Sequence, residues 1–442
     1  MIVSDAFAGK RYAVLGLARS GLATVNTLSA SGAHVVAWDQ REDARAQVAG
    51  KADLGDPLEI DLAGFDAVVV SPGVPLNRHP IATRARAAGV PIIGDIELFA
   101  LARPTLPPHR VVGITGTNGK STTTALIHHI VRNAGLPTRM GGNIGLPILG
   151  QDPLAAGGVY VLELSSYQID LTFSLDCDVA VLLNITPDHL DRYNGFEGYV
   201  ASKARLFGMQ SPAHVAVIAI DDATSRSVAA QVPHALTVSA STVDGAAQAR
   251  WPALQGPHNA QNVAVAVAVA DALGISPGST QAALESYASL PHRMQAVGEH
   301  RGVLYVNDSK ATNAASTAPA LAAWPPVDGR PRIHWILGGL PKSDNLDECA
   351  PAFPNVAHGY TIGEAGPLFA RLLGAAGVPV TECELMVTAV NEAAARAQPG
   401  DVVLLSPACA SFDQFRDFEA RGDAFAASVA ALAERAETGE GA

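Results

Sequence analysis

Cysteine is scarce in this sequence, and the cysteines present are far apart. The chain of 442 residues has four of them, Cys177, Cys349, Cys383 and Cys409, with no C-x-x-C pair. A disulfide framework or a zinc site usually shows several cysteines at short spacing, so the sequence indicates neither. We therefore expect a protein of the reducing cytoplasm.

Long apolar runs and an excess of positive charge are also missing. No segment approaches the ~18 uninterrupted apolar residues that span a bilayer, and the start of the chain lacks the basic-then-apolar pattern of a secretory signal. We expect a soluble, unprocessed monomer that does not insert into membranes. With 30 basic against 42 acidic residues, the formal net charge is −12. A broad nucleic-acid surface needs clustered Lys and Arg, so that class of function is excluded.

What the sequence does contain is an alternation of short β-rich apolar runs with longer alanine-rich stretches, repeated in three regions. This pattern is typical of parallel sheets covered by helices, and the chain length suits about three domains. The sequence predicts an α/β protein with domains at residues 1–105, 106–296 and 297–442. The proline-rich segment Arg103–His109 is the predicted first linker, and the Glu/Gly tail 437–442 is expected to fray.

Apolar runs predict strands in each region. In the first two regions they are Tyr12–Gly16, His34–Asp39, Ala67–Ser71, Arg110–Ile114, Val159–Leu164, Val179–Asn184 and His214–Ile220. In the third they are Gly302–Asn307, Arg332–Leu337 and Asp401–Ser406. Helices are predicted from about Ser20, after the glycine-rich turn near Gly119, and over Asn262–Leu273. In open α/β sheets ligands bind at the loops that follow the strands.

The strongest local signal is the segment Gly113–Ser121, Gly-Ile-Thr-Gly-Thr-Asn-Gly-Lys-Ser, between a strand and a helix. Its glycines allow backbone amides to turn toward an anion at the positive end of the helix. Lys120 can then reach the β- and γ-phosphates, and the Ser121 hydroxyl can meet Mg²⁺. The segment departs from the usual phosphate loop because Ile114 stands where that pattern has glycine. The alternative is a purely structural turn with an exposed lysine.

A weaker signal lies in the first region, where Gly16-Leu-Ala-Arg-Ser-Gly21 precedes a helix and Asp39 ends the next strand. This pattern is similar to a dinucleotide-binding turn with its ribose-binding acid. Its second glycine is replaced by Ala18, which argues against close approach of a nicotinamide cofactor's pyrophosphate. A nucleotide-diphosphate site of altered geometry and a structural turn both stay open.

Acidic residues at strand ends are candidates for metal chemistry. Glu163 ends an apolar strand, from which its carboxylate can meet Mg²⁺ at the phosphate loop. The loop after the next strand carries Asp188, His189 and Asp191. Each has a structural alternative, since a strand-end Glu or a loop Asp often caps backbone amides and histidine is a less usual Mg²⁺ ligand than oxygen.

Together, these motifs resemble the Mur ligase family over essentially the whole chain. The shared segments are Thr115–Ser121, Glu163–Ser166, Asp188–Tyr193, His258–Asn262 and Leu290–Arg293. Three more segments resemble the D-glutamate-adding members of the family, namely Asn307–Asn313, Gly94–Phe99 and Leu405–Phe415.

The resemblance implies three domains. These are a Rossmann-like domain for a UDP-sugar, a central P-loop-type ATPase domain, and a Rossmann-like domain for the amino acid. The implied reaction joins D-glutamate to UDP-N-acetylmuramoyl-L-alanine with ATP and Mg²⁺, through an acyl phosphate.

The resemblance also assigns site residues by position. ATP would contact Gly116, Thr117, Asn118, Gly119, Lys120, Ser121, Thr122, Asn262, Arg293 and Asp308. The UDP-substrate would contact Ser20, Asp39, Arg41, Gly73 and Asn143. D-Glutamate would contact Lys342, Thr312, Ser411 and Phe418, with Lys310 on the same substrate-facing loop as Thr312. Catalysis would involve Lys120, Glu163, His189 and Lys203, and the metal ligands would be Ser121, Glu163, His189 and Lys203.

Lys203 matches the family's carbamylated lysine, and only as a carbamate would it offer anionic oxygens to Mg²⁺. From the residues alone, a solvated helical lysine is the commoner interpretation.

Three other functions compete with this one. They are a related amide ligase, such as a folylpolyglutamate-type enzyme or a Mur ligase for another amino acid, a nicotinamide-dependent oxidoreductase, and a non-enzymatic nucleotide switch.

Overall fold

The computed structural model describes residues Met1–Thr438 of the chain, so residues 439–442 of the predicted frayed tail lie outside the described residues. The chain divides into two compact units. The first comprises Met1–Thr242 and Gln261–Leu284, and the second comprises Val243–Ala260 and the chain from Glu285 onward.

The first unit begins with a five-stranded parallel sheet in the order β3-β2-β1-β4-β5. Its strands are β1 (Arg11–Leu15), β2 (His34–Trp38), β3 (Asp53–Leu54), β4 (Ala67–Val70) and β5 (Ile92–Ile93). Its helices are α1 (Arg19–Ala30), α2 (Glu42–Ala46), α3 (Pro80–Ala87) and α4 (Asp95–Ala102). The central strands are apolar and buried, as expected where helices cover a parallel sheet.

The second sheet of this unit has six parallel strands in the order β11-β10-β9-β6-β8-β7. They are β6 (His109–Thr115), β7 (Thr138–Gly142), β8 (Gly158–Glu163), β9 (Val179–Leu182), β10 (Val215–Ala219) and β11 (Leu236–Val238). The associated helices are α5 (Lys120–Asn133), α6 (Ser166–Asp170), α7 (Phe196–Gly208) and α8 (Ala223–Ala229). Because β6 lies between β9 and β8, the loops after these three strands meet at one edge.

One continuous apolar cluster links the two sheets of the first unit. It runs from Ile2 and Phe7 through Phe99 of α4 to Tyr160 of β8 and Ile218 of β10. Removing this apolar surface from water favours the association of the two sheets. Buried polar contacts add to it, since the Glu97 carboxylate of α4 accepts hydrogen bonds from the backbone amides of Phe173 and Ser174 at 2.6 and 2.9 Å.

The second unit has a six-stranded sheet in the order β12-β13-β17-β14-β15-β16. Its strands are β12 (Gln295–His300), β13 (Val303–Asn307), β14 (Ile333–Gly338), β15 (Val356–Ile362), β16 (Val380–Glu384) and β17 (Val402–Leu405). Its helices include α9 (Gly245–Gln248), α12 (Ala314–Ala322), α13 (Gly366–Ala375), α14 (Met386–Arg396) and α15 (Phe418–Thr438). The boundary between the units falls inside α10 (Pro257–Ala272) and near the end of α11 (Pro277–Ser286).

The predicted α/β class is confirmed, and the predicted strands agree with β1, β2, β4, β6, β8, β9, β10, β13, β14 and β17 to within two residues at each end. One feature differs from the expected parallel sheets, because β12 pairs with β13 in the antiparallel sense. The segment after Ala102 forms a short 3-10 turn, Arg103–Thr105, rather than an irregular linker throughout. The predicted domain boundaries after residues 105 and 296 stay predictions.

Candidate active site

The glycine-rich loop lies at the end of β6, directly before α5. Gly116 has φ 154° and Gly119 has φ 81°, and the second value is in the left-handed region that favours glycine. A Cβ added at Gly119 would lie 2.5 Å from Oδ1 of Asn262. That oxygen accepts a hydrogen bond from the Thr123 hydroxyl at 3.0 Å, so Asn262 is held in place and no larger residue fits at Gly119.

Asn184, which follows β9, holds the middle of this loop. Its backbone oxygen accepts from the Thr117 amide and its Oδ1 accepts from the Asn118 amide, both at 2.8 Å. Its Nδ2 donates to Oε1 of Gln261 at 2.9 Å. The loop is therefore shaped by neighbouring strands and by α10, as well as by its own glycines.

Two lysine side chains meet at the start of the loop. Lys120 Nζ donates to the carbonyl oxygens of Gly116 at 3.0 Å and Thr117 at 2.8 Å. Lys203 Nζ, from α7, donates to the same Gly116 oxygen at 2.8 Å. Two amines thus converge on the backbone of the predicted ATP-binding segment. Lys203 is 1% exposed, so the interpretation of Lys203 as a solvated helical lysine is wrong.

The environment of Lys203 changes its protonation. Burial in the protein, followed by the positive charge of Lys120, lowers the pKa of Lys203 to about 6. Asp188, Asp170 and Glu163 act in the opposite direction through their negative charges. A lysine with such a pKa is mostly a neutral amine at physiological pH, and a neutral amine is the form that reacts with carbon dioxide.

Glu163 lies at the end of β8 and is 2% exposed. Its Oε1 accepts from Nδ2 of Asn143 at 3.0 Å, and its backbone oxygen accepts from the Asn143 amide at 2.8 Å. Its Oε2 is buried without a hydrogen-bond partner among the described residues. A buried carboxylate oxygen with no donor is costly unless a ligand completes it, so Glu163 fits a metal ligand better than an amide cap.

His189 lies in the loop after β9, with a backbone φ of 52°. Its side chain is half exposed, its Nε2 lies 3.4 Å from Oδ2 of Asp188, and its ring lies 5.0 Å from the ring of Tyr167. Within Met1–Thr438, no group of three His, Cys, Asp or Glu side chains could hold a metal ion. A Mg²⁺ ion would therefore need Ser121, a modified Lys203 or substrate oxygens beside Glu163 and His189.

In the first region, Asp39 is tied to the turn after β1. Its Oδ2 accepts from the Leu17 amide at 2.8 Å and its Oδ1 from the Arg41 amide at 2.9 Å. Partial burial alone would raise its pKa, but the two amides and the Arg41 cation outweigh burial and lower the pKa of Asp39. The side chain therefore stays anionic and orders the turn that precedes Ser20 in α1.

Gly73 and Asn143, the other predicted UDP-substrate residues, lie at the junction of the two sheets. The Gly73 oxygen accepts from Arg192 at 3.3 Å. Arg19, to which sequence reasoning assigned no role, donates from α1 to the Gly145 oxygen at 2.6 Å. The segment around Asn143 is thus linked to the start of α1, where Ser20 lies.

In the second unit, Asp308 is buried at the end of β13. Its Oδ2 accepts from the Ser406 hydroxyl at 2.8 Å and its Oδ1 from the Met294 amide at 3.1 Å. Burial raises the pKa of Asp308 to about 7. Arg293 is flanked by two non-glycine residues with positive φ, His292 at 60° and Met294 at 47°, a conformation that costs energy and is often found at functional sites.

Two of the predicted D-glutamate residues are in direct contact, since Lys342 Nζ donates to Oγ1 of Thr312 at 3.2 Å. Lys310 lies over the Phe418 ring, with Nζ 4.2 Å from its centroid. Ser411 is 2% exposed. Among the described residues, no hydrogen bond or ring contact joins Ser411 directly to Lys342 or Phe418.

Sequence reasoning missed Arg421, a buried residue of α15. Its Nε and Nη2 donate to Oγ and O of Ser309 at 3.0 and 2.8 Å, and its Nη1 donates to the Ala410 oxygen at 3.1 Å. It therefore joins the loop before Thr312 to the loop before Ser411. No spacing rule could have identified it, because two of its three acceptors are backbone oxygens.

A parallel sheet with a lysine-bearing glycine loop beside a buried carboxylate is typical of ATP-using proteins. Similarity to known proteins identifies the family. The Mur ligase MurD-like N-terminal domain matches residues 10–94, the Mur ligase middle domain matches residues 114–267, and the Mur ligase glutamate ligase domain matches residues 292–409. The chain belongs to the Mur ligase family.

Within that family the chain is similar over nearly its full length to particular relatives. The UDP-N-acetylmuramoylalanine–D-glutamate ligase of Novosphingobium aromaticivorans is 65% identical, covering 98% of this chain and 97% of the relative. The enzyme of the same name from Sphingopyxis alaskensis is 64% identical, covering 98% of this chain and 100% of the relative.

Solved structures support the fold. UDP-N-acetylmuramate–alanine ligase from Thermotoga maritima has a TM-score of 0.58 at 16% identity, covering 96% of this chain and 99% of that chain. MurF ligase from the same organism, in complex with ADP, has a TM-score of 0.58 at 16% identity, covering 98% of each chain. Among the described residues, none of the helices has the length and apolar character needed to cross a bilayer.

Proposed function

We propose that this protein joins D-glutamate to the lactyl-alanine carboxylate of UDP-N-acetylmuramoyl-L-alanine, using ATP, in peptidoglycan precursor synthesis. The reaction class is supported by the geometry of the glycine-rich loop. Lys120 and Lys203 both donate to the Gly116 oxygen, and the Glu163 carboxylate, which has one oxygen without a hydrogen-bond partner in the described part of the chain, opposes the lowering of the Lys203 pKa. The choice of D-glutamate rests on the 65% identity to an enzyme named for that substrate.

The chemical problem is that a carboxylate does not accept an amine, because its leaving group would be oxide. In the proposed reaction a carboxylate oxygen of the sugar nucleotide attacks the γ-phosphorus and ADP leaves, forming an acyl phosphate. The amine of D-glutamate then attacks the acyl carbon, phosphate leaves, and the amine nitrogen loses its proton. Bringing two anions together requires positive charge, which Lys120 supplies at the start of α5.

Mg²⁺ fits the donors at this site. Ser121, Glu163, His189 and a carbamylated Lys203 would hold it, and the bound cation would neutralise phosphate charge. The unpartnered Oε2 of Glu163 is the oxygen best placed for that role. Lys203 as a carbamate would replace a buried neutral amine by an anionic oxygen donor beside Lys120.

Each unit contributes separately to substrate binding in this proposal. In the first, Ser20, Asp39, Arg41 and Gly73 would lie near the uridine diphosphate. In the second, Lys342 and Thr312 would take one carboxylate of D-glutamate, with Ser411 and Phe418 completing the pocket. Arg293 and Asp308 would contact the nucleotide. Holding three substrates in order would contribute about 7–11 kcal/mol to catalysis.

The test is phosphate release measured with ATP and a panel of amino acids, together with product mass. We expect release only when D-glutamate and UDP-N-acetylmuramoyl-L-alanine are both present, and none with L-glutamate, lysine or diaminopimelate. Release with another amino acid would identify a related amide ligase. ATP hydrolysis that is indifferent to the amino acid would identify a nucleotide switch. Either result would refute the proposal.

A further inference from the structure

In the first unit, one arginine side chain forms hydrogen bonds between two loops that follow strands of different sheets. Arg192 follows β9 in the loop that carries His189. Its Nη2 donates to the backbone oxygens of Pro72 and Val74 at 3.3 and 2.9 Å, and its Nη1 donates to that of Gly73 at 3.3 Å. Three consecutive carbonyls after β4 thus point at one guanidinium.

The same side chain also reaches toward His189. Its guanidinium carbon lies 4.0 Å from the centroid of the Tyr167 ring, and that ring lies 5.0 Å from the His189 ring. The Arg192 amide donates to the His189 oxygen at 3.0 Å. A fourth hydrogen bond joins the same two loops, from Nδ2 of Asn77 to the oxygen of Asp191 at 3.0 Å.

An arginine suits this junction for a physical reason. Its planar guanidinium presents five N–H groups in a fixed fork, while its face can stack on an aromatic ring. It can therefore meet several carbonyls and Tyr167 at once. A lysine keeps the charge but has no planar fork, so it could not reproduce this set of contacts. The strained φ of 52° at His189 indicates that neighbouring contacts determine its conformation.

We propose that Arg192 is a positioning residue of the ligase, which fixes the sugar-nucleotide loop at Gly73 relative to His189. This inference rests on the proposed function, in which Gly73 lies near the uridine diphosphate and His189 near the phosphate groups. The Gly73 loop would bind the substrate that carries the reacting carboxylate. A shift of this loop would therefore shift the carboxylate relative to the γ-phosphate. A displacement of about 1 Å can cost about a hundredfold in rate.

The test compares the parent enzyme with Arg192→Lys and Arg192→Ala. In both variants we expect KM for UDP-N-acetylmuramoyl-L-alanine to rise about tenfold and kcat to fall about tenfold. KM for D-glutamate should stay within about twofold, because its predicted residues lie in the second unit. A purely structural role would lower the amount of folded enzyme without this selective change in KM. If the alanine variant does not fold, the lysine variant decides.

A matched control is available in Arg205, on α7. Its side chain also donates to a backbone oxygen, that of Thr172 at 3.0 Å, and also lies over a ring, 5.3 Å from the centroid of Phe173. It does not contact the Gly73 loop. Arg205→Ala should therefore keep the parent's KM values.

Hydrogen exchange gives a readout that does not depend on activity. In Arg192→Lys, the amides of Gly73, Val74, Leu76 and Asn77 and those of residues 188–191 should exchange faster than in the parent, and in Arg205→Ala they should not. Unchanged kinetic constants in Arg192→Lys would overturn the inference while leaving the proposed function intact. A parent enzyme that makes no product would refute the proposed function itself, which is a separate result.

Discussion

Lys203 provides the sharpest prediction, because its burial changes its chemistry at physiological pH. An ordinary lysine with a pKa near 10.5 is about 0.1% neutral at pH 7.5, whereas a group with a pKa of about 6 is about 97% neutral. The fraction able to react with carbon dioxide is therefore larger by about a thousandfold. We expect Lys203 to be carbamylated in the active enzyme.

The assay for this prediction combines labelling with activity. Enzyme stripped of carbon dioxide should lose activity and regain it when ¹³C-labelled bicarbonate is added, with one new ¹³C carbamate resonance. That resonance should be absent in Lys203→Arg and retained in Lys51→Arg, whose lysine is exposed. Because carbamate forms from the neutral amine, recovery should increase as the pH is raised through about 6, rather than near 10. Lys203→Ala should be inactive and partly rescued by short carboxylates.

Two results would refute this reasoning. One is full activity of Lys203→Ala in the absence of added carboxylates. The other is a labelled resonance that survives in Lys203→Arg, which would place the carbamate on a different lysine.

Three further predictions test separate parts of the first unit. Gly119→Ala should raise KM for ATP about tenfold, because its Cβ would meet Asn262. The control is Gly135→Ala, which has a similar φ of 78° and open space around the added Cβ, and which should only lower the free energy of unfolding by about 1 kcal/mol. Equal KM values for ATP in the two variants would contradict this prediction. Glu163→Gln should lower kcat about a hundredfold. The melting temperature should not change, because a glutamine oxygen can still accept a hydrogen bond from Asn143. A lower melting temperature would indicate that the Glu163 carboxylate has a structural role instead. Glu97→Gln should lower the free energy of unfolding, measured by chemical denaturation, by about 2–4 kcal/mol, because the Glu97 carboxylate accepts three hydrogen bonds from Phe173 and Ser174. KM values should not change. An unchanged free energy of unfolding would count against this structural role of Glu97.

The central strands could be predicted from sequence because they are buried on both faces. β8 and β9 are continuous apolar runs, and such runs are a direct signal. The short edge strands gave no such signal. β3 has two residues, Asp53 and Leu54, both exposed, and β16 (Val380–Glu384) has three polar residues among its five. Their pairing depends on backbone groups of a neighbouring strand, which composition does not reveal.

The same distinction applies to the site. The loop at Gly116–Lys120 was predictable because its residues are consecutive and each has a local reason. The burial of Lys203 was not, since a lysine on a helix is usually exposed, and only the packing of α7 beside the loop places it next to Gly116. Arg192 and Arg421 bond mainly to backbone oxygens, which every residue type carries, so no pattern of side chains could reveal their partners.

Lys120 and Lys203 both contact the Gly116 oxygen, so the conformation of the loop brings two amines close together. Both amines donate to this one oxygen, and the Lys120 charge is the second largest cause of the low Lys203 pKa. Lys120 repels Lys203 when Lys203 is protonated, whereas it would attract Lys203 as an anionic carbamate. The modification would therefore add an anionic ligand for Mg²⁺ and also remove a source of repulsion beside Lys120. Because opposite charges attract more strongly inside a protein than in water, the loop should be more rigid after carbamylation than before it.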